Sequence, residues 1–302
     1  MLDGLDGKVA IVTGAGQGLG RAEALELARN GVRVLVNDLG RSLHGDDEAS
    51  LADDVVAEIS DLGGEAIANR GDVASWDDSG GMIAQAVQQW GQLDILVNNA
   101  GFLRDRMLFN MSEHEWDSVI RVHLKGHFCM LRHAAEHWRE LGREGGQVYG
   151  RVVNTSSEAF LGGGPSQPNY AAAKAGIVQL TLAMAQALGK YGVTANAICP
   201  RARTRMTDGM GFMDDPQADG WDPFGPENVA PLVAYLASPE AARVSGQVFV
   251  VYGKMISVLA APAVDRRFDA ETPWTAESVA ATLTPFYETR EPITDGFRAN
   301  LQ

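Results

Sequence analysis

Between residues 9 and 251 the chain alternates short, apolar, largely β-branched runs with amphipathic segments of helical length. The runs are Val9–Thr13, Val32–Val36, Ala66–Ala68, Asp94–Val97, Arg151–Asn154, Val193–Ile198 and Val248–Val251. Helical patterns fall between them at Arg21–Asn30, Ala49–Leu62, Asp77–Trp90, Glu113–Leu141, Asn169–Tyr191 and Pro226–Ala237. A strand that reaches its neighbour through a helix pairs in parallel, and the crossover helices cover both faces of the sheet. Ala10-Ile-Val and Ile95-Leu-Val are unbroken apolar stretches, as strands buried on both faces require. The pattern therefore predicts an α/β fold: a doubly wound, Rossmann-type parallel sheet of about seven strands with helices on both faces.

No linker divides this pattern, and the cluster Gly162-Gly-Gly164 is too short to be one. A single domain is expected over residues 1–253, with a C-terminal extension over 254–302 in which Ala276–Thr289 reads as a helix. Residues 39–48 lengthen the loop after the second strand. Residues 203–225 form a Met-, Gly- and Asp-rich excursion, expected to be a variable substrate loop because long loops in compact domains are usually functional.

Charge narrows the function. With 25 Lys+Arg against 39 Asp+Glu, the net charge of −14 speaks against nucleic acid and anionic lipid as partners. The N-terminal MLDGLDGKVA carries no export signal, and no apolar run of about 18 residues suggests a membrane span. Cys129 and Cys199 are far apart, as expected of buried, inert thiols in a reducing cytoplasm. A cytoplasmic location is expected. His123/His127 and His133/His137 stand at i, i+4 but lack the His-Glu-x-x-His arrangement, so no metal site is expected. There is no Gly-x-Ser-x-Gly elbow to supply a hydrolase nucleophile.

The first strand runs into Gly14-Ala-Gly-Gln-Gly18-Leu-Gly20 and then a helix. Glycines let the backbone approach a pyrophosphate, and a helix N-terminus offers it free N–H groups. The spacing G-x-x-x-G-x-G differs from G-x-G-x-x-G, so alone it fits an unliganded tight turn as well. Asp38 ends the second strand, where a carboxylate can accept the adenosine ribose hydroxyls and repel a 2′-phosphate. It favours NAD over NADP, although Arg41 is near. Asp72-Val73 follows the third strand, where an aspartate can hydrogen-bond the adenine amino group.

Tyr170-Ala-Ala-Ala-Lys174 opens a helical stretch and puts phenol and ammonium on one face. A neighbouring cation lowers a tyrosine pKa and would fit it for proton exchange with an alcohol or carbonyl oxygen. Ser157 ends a strand thirteen residues earlier, where its hydroxyl can bond the substrate oxygen.

Taken in order, Thr13-Gly-Ala-Gly-Gln-Gly-Leu-Gly20, Asp72-Val73, Asn98-Asn-Ala-Gly101, Ser157 and Tyr170-x-x-x-Lys174 resemble the short-chain dehydrogenase/reductase family over roughly residues 4–253. The resemblance implies hydride transfer between a nicotinamide and a hydroxyl/ketone pair. It implies Tyr170 as acid/base, Lys174 on the cofactor ribose, and Ser157 orienting substrate, with Ser156 the alternative serine. The cofactor contacts it implies are Gly14, Gln17, Gly18, Leu19, Gly20, Asp38, Asp72, Val73, Asn99, Ala100, Gly101, Val122, Tyr170, Lys174, Pro200 and Thr204.

Val36-Asn-Asp-Leu-Gly40, Asn98–Arg106 and Val122-His-Leu-Lys-Gly126 are similar to the (3R)-hydroxyacyl-CoA dehydrogenase part of peroxisomal multifunctional enzyme type 2 and to stand-alone bacterial relatives. A 3-hydroxyacyl-CoA or a sterol is the implied substrate. His123 stands where most of the superfamily has an asparagine in a proton relay, and is expected either to take that role or to leave the relay to another route. Arg201 replaces the usual glycine after Pro200, and is expected either to meet an anionic substrate or to face away. Arg203 and Arg205 would suit CoA phosphates.

Two readings compete with an NAD-dependent alcohol dehydrogenase. One is an NADPH-dependent 3-oxoacyl or xenobiotic ketoreductase, which Asp38 opposes. The other is a non-catalytic dinucleotide-binding regulator, which has no need of the Ser–Tyr–Lys set. Apolar positions on several faces of the two longest helices, among them Val178, Leu182 and Met184, suggest a homodimer or homotetramer unless the C-terminal tail covers them.

Overall fold

In the computed structural model the described residues are 2–40, 51–204, 220–294 and 296–297. Of the expected additions at 39–48 and 203–225, residues 41–48 and 205–219 lie outside them, among these Arg41 and Arg205. The first half of the chain runs β1 (Val9–Thr13), α1 (Gly18–Arg29), β2 (Arg33–Asn37), α2 (Leu51–Asp61), β3 (Ala66–Asn69), α3 (Trp76–Trp90) and β4 (Ile95–Asn98). It continues through α4 (Glu113–Ile120), α5 (Gly126–Arg143), β5 (Gly150–Thr155), α6 (Ala159–Gly162), α7 (Pro168–Leu188) and β6 (Val193–Pro200). The last elements are α8 (Ala230–Ala237), β7 (Val248–Tyr252), β8 (Met255–Val258) and α9 (Ala276–Glu288).

The sheet order is β3-β2-β1-β4-β5-β6-β7-β8, parallel throughout except for β8, which pairs antiparallel with β7. This is the doubly wound α/β fold expected, with eight strands rather than about seven. The extra strand lies within the expected C-terminal extension and turns back at Gly253-Lys254 to pair Tyr252 with Met255. Its four residues are too few and too mixed in polarity to read as a buried strand.

Period-2 alternation explains the two cores. In β1, Ala10 and Val12 face a cluster with Leu27, Val36, Val97, Val233 and Leu236, packed under α1 and α8. Val9 and Ile11 face the opposite cluster with Met82, Leu96, Met130, Trp138 and Leu188, packed under α3, α5 and α7. Both clusters are dry, so the strands are pinned from either side. The strand order reverses between β1 and β4, and the crevice outside their carboxyl ends is where this fold receives ligands.

Three helical expectations change. The single helix read over Glu113–Leu141 is interrupted by a π-helical turn at Arg121–Lys125 between α4 and α5. A π turn accommodates one extra residue with little effect on apolar spacing, so periodicity passes over it. Val178 and Met184, read as apolar positions for a partner, are buried within the single chain, while Leu182 is half-buried. The Pro168–Tyr191 stretch is long and apolar enough by composition to cross a membrane, contrary to the sequence expectation. Here its buried residues pack against the sheet, and it carries Tyr170 and Lys174.

One buried carboxyl works against the fold. Glu23 on α1 is fully buried, neither oxygen has a hydrogen-bond partner, and burial pushes its pKa up to about 8. The native state keeps a proton that the unfolded chain releases near 4.5, so stability is lost as pH rises from about 4.5 to about 8. Glu23→Gln abolishes this loss. It should stabilise by about 3 kcal/mol at pH 7 and by nearly nothing near pH 4.5, as read by thermal unfolding at the two pH values. An equal gain at both would show that Glu23 does not titrate as described.

Candidate active site

A cleft of about 950 Å³ opens at the β1/β4 reversal. Its walls include Gly14, Gln17, Gly18, Leu19, Asp38, Asp72, Val73, Asn99, Ala100, Gly101, Val122, His123, Tyr170, Lys174, Pro200 and Thr204. The fold thus gathers nearly all of the expected cofactor-contacting residues around one cavity. Gly20 lies behind the turn, where a Cβ would strike the Gly14 carbonyl and the Asn99 amide.

The floor of the cleft is built by hydrogen bonds among loops. The Thr13 hydroxyl accepts from the N–H groups of Asn99 (3.0 Å) and Ala100 (3.2 Å). Asn99 Nδ2 returns donations to the carbonyls of Thr13 (3.2 Å) and Gly14 (3.1 Å). The glycine turn and the loop after β4 are therefore tied together. Gly14 adopts φ +62°, and a Cβ there would lie 2.7 Å from the Ala100 backbone. Only glycine combines that backbone with that approach.

Asp38 leaves β2 toward the glycine turn, and its Oδ2 accepts from Gly16 N–H at 3.0 Å. The carboxylate stands at the wall of the cleft beside that turn. Asp72 Oδ1 accepts from Ala74 N–H at 2.8 Å, while Oδ2 pairs with Arg121, which also lines the cleft. Arg121 went unnoticed in the sequence because nothing in its spacing links it to Asp72. These residues fit a dinucleotide: a glycine turn without side chains, a helix N-terminus, a carboxylate at the ribose position and a second near the adenine position.

Tyr170 lies in the first turn of α7, and Ser157 stands close enough to its hydroxyl to favour the phenolate. Lys174 follows one turn on, fully buried, with Nζ 5.3 Å from the Tyr170 ring centroid and donating to the Thr155 carbonyl at 2.5 Å. Ser157, Tyr170 and Lys174 therefore meet. Ser156 instead donates to the Lys174 carbonyl at 2.9 Å and holds α7 against β5. Ser156 lines the cleft with its hydroxyl engaged on that carbonyl, whereas Ser157 is the serine that acts on the Tyr170 hydroxyl.

The electrostatics differ from the sequence expectation. Burial pushes the Tyr170 phenol up to about 12, opposed by Ser157, and pushes the Lys174 ammonium down to about 7. Desolvation is the largest cause of both shifts. Lys174 by itself does not make Tyr170 acidic. A positive charge placed in this cleft would act through the same low dielectric and so count for more than it does in water.

The π turn carries His123 inward, where its ring stands edge-on to Tyr170 at 5.2 Å and 86°. Its Nε2 lies 2.8 Å from the Phe102 carbonyl, while Nδ1 has no hydrogen-bond partner. Burial and the Lys174 charge push its pKa well down, leaving it neutral. His123 is thus joined to the Phe102 backbone and set edge-on to the tyrosine. A Cβ on Gly101 would collide with its ring.

Sequence reasoning missed Asn169. It is fully buried, donates to the carbonyls of Arg104 (3.1 Å) and Glu115 (3.0 Å), and accepts from Tyr170 N–H at 2.8 Å. Its only sequence signal is a polar residue in the first turn of an apolar helix. Arg201 does not project into the cleft; it pairs with Glu158 through Nε (2.6 Å) and Nη2 (2.9 Å). Arg203 pairs with Asp222 at 3.0 Å, so it is already neutralised rather than waiting for a CoA phosphate. Cys129 and Cys199 are buried, and burial pushes both thiols up.

Residues 8–211 match the short chain dehydrogenase family. The chain is 53% identical over 292 residues to the hydroxyacyl-CoA dehydrogenase ChsB1 of Mycobacterium tuberculosis, covering 95% of this chain and 91% of that one. It is 41% identical over 247 residues to peroxisomal multifunctional enzyme type 2 of Mus musculus, covering 82% of this chain and 32% of that longer protein. A solved short chain dehydrogenase from Mycobacterium avium superposes with a TM-score of 0.85 at 46% identity, covering 98% of this chain and 99% of that one. The chain belongs to the short-chain dehydrogenase/reductase family, and is an oxidoreductase of CH–OH groups that works with a nicotinamide dinucleotide.

Proposed function

We propose that this protein oxidises the hydroxyl of 3-hydroxyacyl-CoA thioesters with NAD. The observation that carries the reading is Tyr170 and Lys174 together on the wall of a dinucleotide-sized cleft, with Ser157 acting on the Tyr170 hydroxyl. The substrate class is supported by the hydroxyacyl-CoA dehydrogenase of Mycobacterium tuberculosis, which is alike over nearly its full length. Asp38 supports NAD, since a carboxylate at the ribose rim repels a 2′-phosphate and opposes the NADPH-dependent reading.

Bound in the cleft, the dinucleotide supplies the acceptor for the hydride that leaves the carbinol carbon. Tyr170 Oη, once deprotonated, takes the hydroxyl proton. The Ser157 hydroxyl donates to the substrate oxygen and holds it beside that phenolate. Lys174, anchored on the Thr155 carbonyl, keeps its ammonium on the inner side of Tyr170, where it can also bind ribose hydroxyls. Asn169 fixes the backbone from which Tyr170 projects.

The reading is tested by incubating the protein with NAD and 3-hydroxyacyl-CoAs of graded length, with and without a sterol body, and following NADH formation. Reduction of NAD by at least one series is expected. Tyr170→Phe should lower kcat by about a thousandfold while NADH affinity stays within about tenfold. Turnover retained in that variant would remove Tyr170 from the chemistry.

Because burial holds the phenol above its ordinary value, the oxidative kcat/KM should climb with pH by about tenfold per unit between about pH 6 and 9. A flat profile over that range contradicts a tyrosine base. Asp38→Ala should shrink the preference for NAD over NADP by about tenfold or more, measured as the ratio of the two kcat/KM values. An unchanged ratio would place the discrimination elsewhere.

A further inference from the structure

Ser157 is the one member of the catalytic set that does not sit inside a long, packed element. It lies between the end of β5 and the single turn of α6, which has no buried residue of its own. On the β5 side, Ser156 N–H is fixed to the Ile198 carbonyl at 2.7 Å. On the α6 side, Ser157 is followed by Glu158, which caps that turn.

Glu158 is gripped from across the sheet edge. Arg201, the residue after β6, donates to it through Nε at 2.6 Å and Nη2 at 2.9 Å, a parallel two-bond pair with both side chains partly shielded. Arg201 is itself immobilised. Its backbone N–H bonds the Val251 carbonyl at 3.0 Å, and its guanidinium lies 4.9 Å over the Tyr252 ring. Tyr252 stacks on Phe224 at 5.6 Å and 5°. Phe224 in turn accepts from Arg203 N–H at 2.6 Å. The far end of α6 is tied as well, since the Leu161 carbonyl accepts from Phe297 N–H at 3.0 Å.

We propose that Arg201 is a positioning residue: its paired hydrogen bonds to Glu158 hold the first turn of α6 so that Ser157 stays within bonding reach of the Tyr170 hydroxyl. A planar guanidinium clamps a carboxylate in two directions at once, fixing orientation as well as distance. A lysine ammonium at the same place offers a point charge and leaves the turn free to rotate about a single bond. The proposal rests on the functional reading above, because it gives Ser157 a role in the reaction.

The test compares wild type with Arg201→Gly, Arg201→Lys, Glu158→Gln and the exchanged pair Glu158→Arg/Arg201→Glu, using NAD and a 3-hydroxyacyl-CoA. Each single variant should lose about tenfold or more in kcat while KM for NAD stays within about twofold, and the exchange should recover most of the loss. A kcat within about twofold of wild type in both Arg201→Gly and Glu158→Gln overturns the proposal. If the exchanged pair misfolds, kcat per folded site in Glu158→Gln and Arg201→Lys decides, with sites counted by NADH binding: a loss of about tenfold per site supports the proposal, and a wild-type value per site, as a purely structural lesion gives, overturns it.

A wild type that oxidises no thioester sinks the functional reading instead. The pair is then judged by a crystal structure of Arg201→Gly. Ser157 displaced from Tyr170 supports the proposal, and Ser157 unmoved overturns it.

Discussion

The structure depends on a sheet buried on both sides. When every residue of β1 is shut away from water, side chains must be apolar in both directions and the crossovers must supply two layers of helices. Parallel strands then deliver all their carboxyl ends to one edge. The glycine turn after β1, Asp38 after β2, the Asn99 loop after β4, Ser157 after β5 and Pro200 at the end of β6 reach that edge for this reason alone. Chemistry spread across almost two hundred residues of chain is brought together by backbone pairing, before any of those side chains touch.

Burial also sets the character of the chemistry. The cavity that collects these groups strips water from Tyr170 and Lys174 and drives their pKa values in opposite directions, the phenol up and the ammonium down. Both groups are thereby biased toward the neutral form, and His123 beside them follows the same rule. The reacting end of the cleft holds a neutral phenol and a neutral imidazole beside an ammonium whose charge burial opposes, in a poorly screened space. There, a single added positive charge has a large effect on the tyrosine, and the pair of residues alone has a small one.

Much of this was legible in the sequence, because the signals are local. Alternating apolar runs gave the strands, and i, i+4 spacing put Tyr170 and Lys174 on one helix face. What escaped had physical reasons. The π turn at Arg121–Lys125 adds a residue without disturbing the apolar spacing on which helix reading relies. The pairing of Arg201 with Glu158 joins residues 43 apart, and neither signals its partner. Arg201 read as meeting an anionic substrate or facing away, and Arg203 as suiting CoA phosphates, yet carboxylates of this acidic chain pair with both. Strand β8 was lost because an exposed edge strand need not be apolar.

Thr13 has a consequence of its own. One hydroxyl accepts two backbone amides of the opposite loop, and the Asn99 amide replies with two donations, so four bonds lace the two lips of the cleft into a single rigid body. Ordering that would otherwise occur when a ligand arrives is completed during folding. An incoming dinucleotide meets a preformed mould and surrenders its own freedom but little of the protein's.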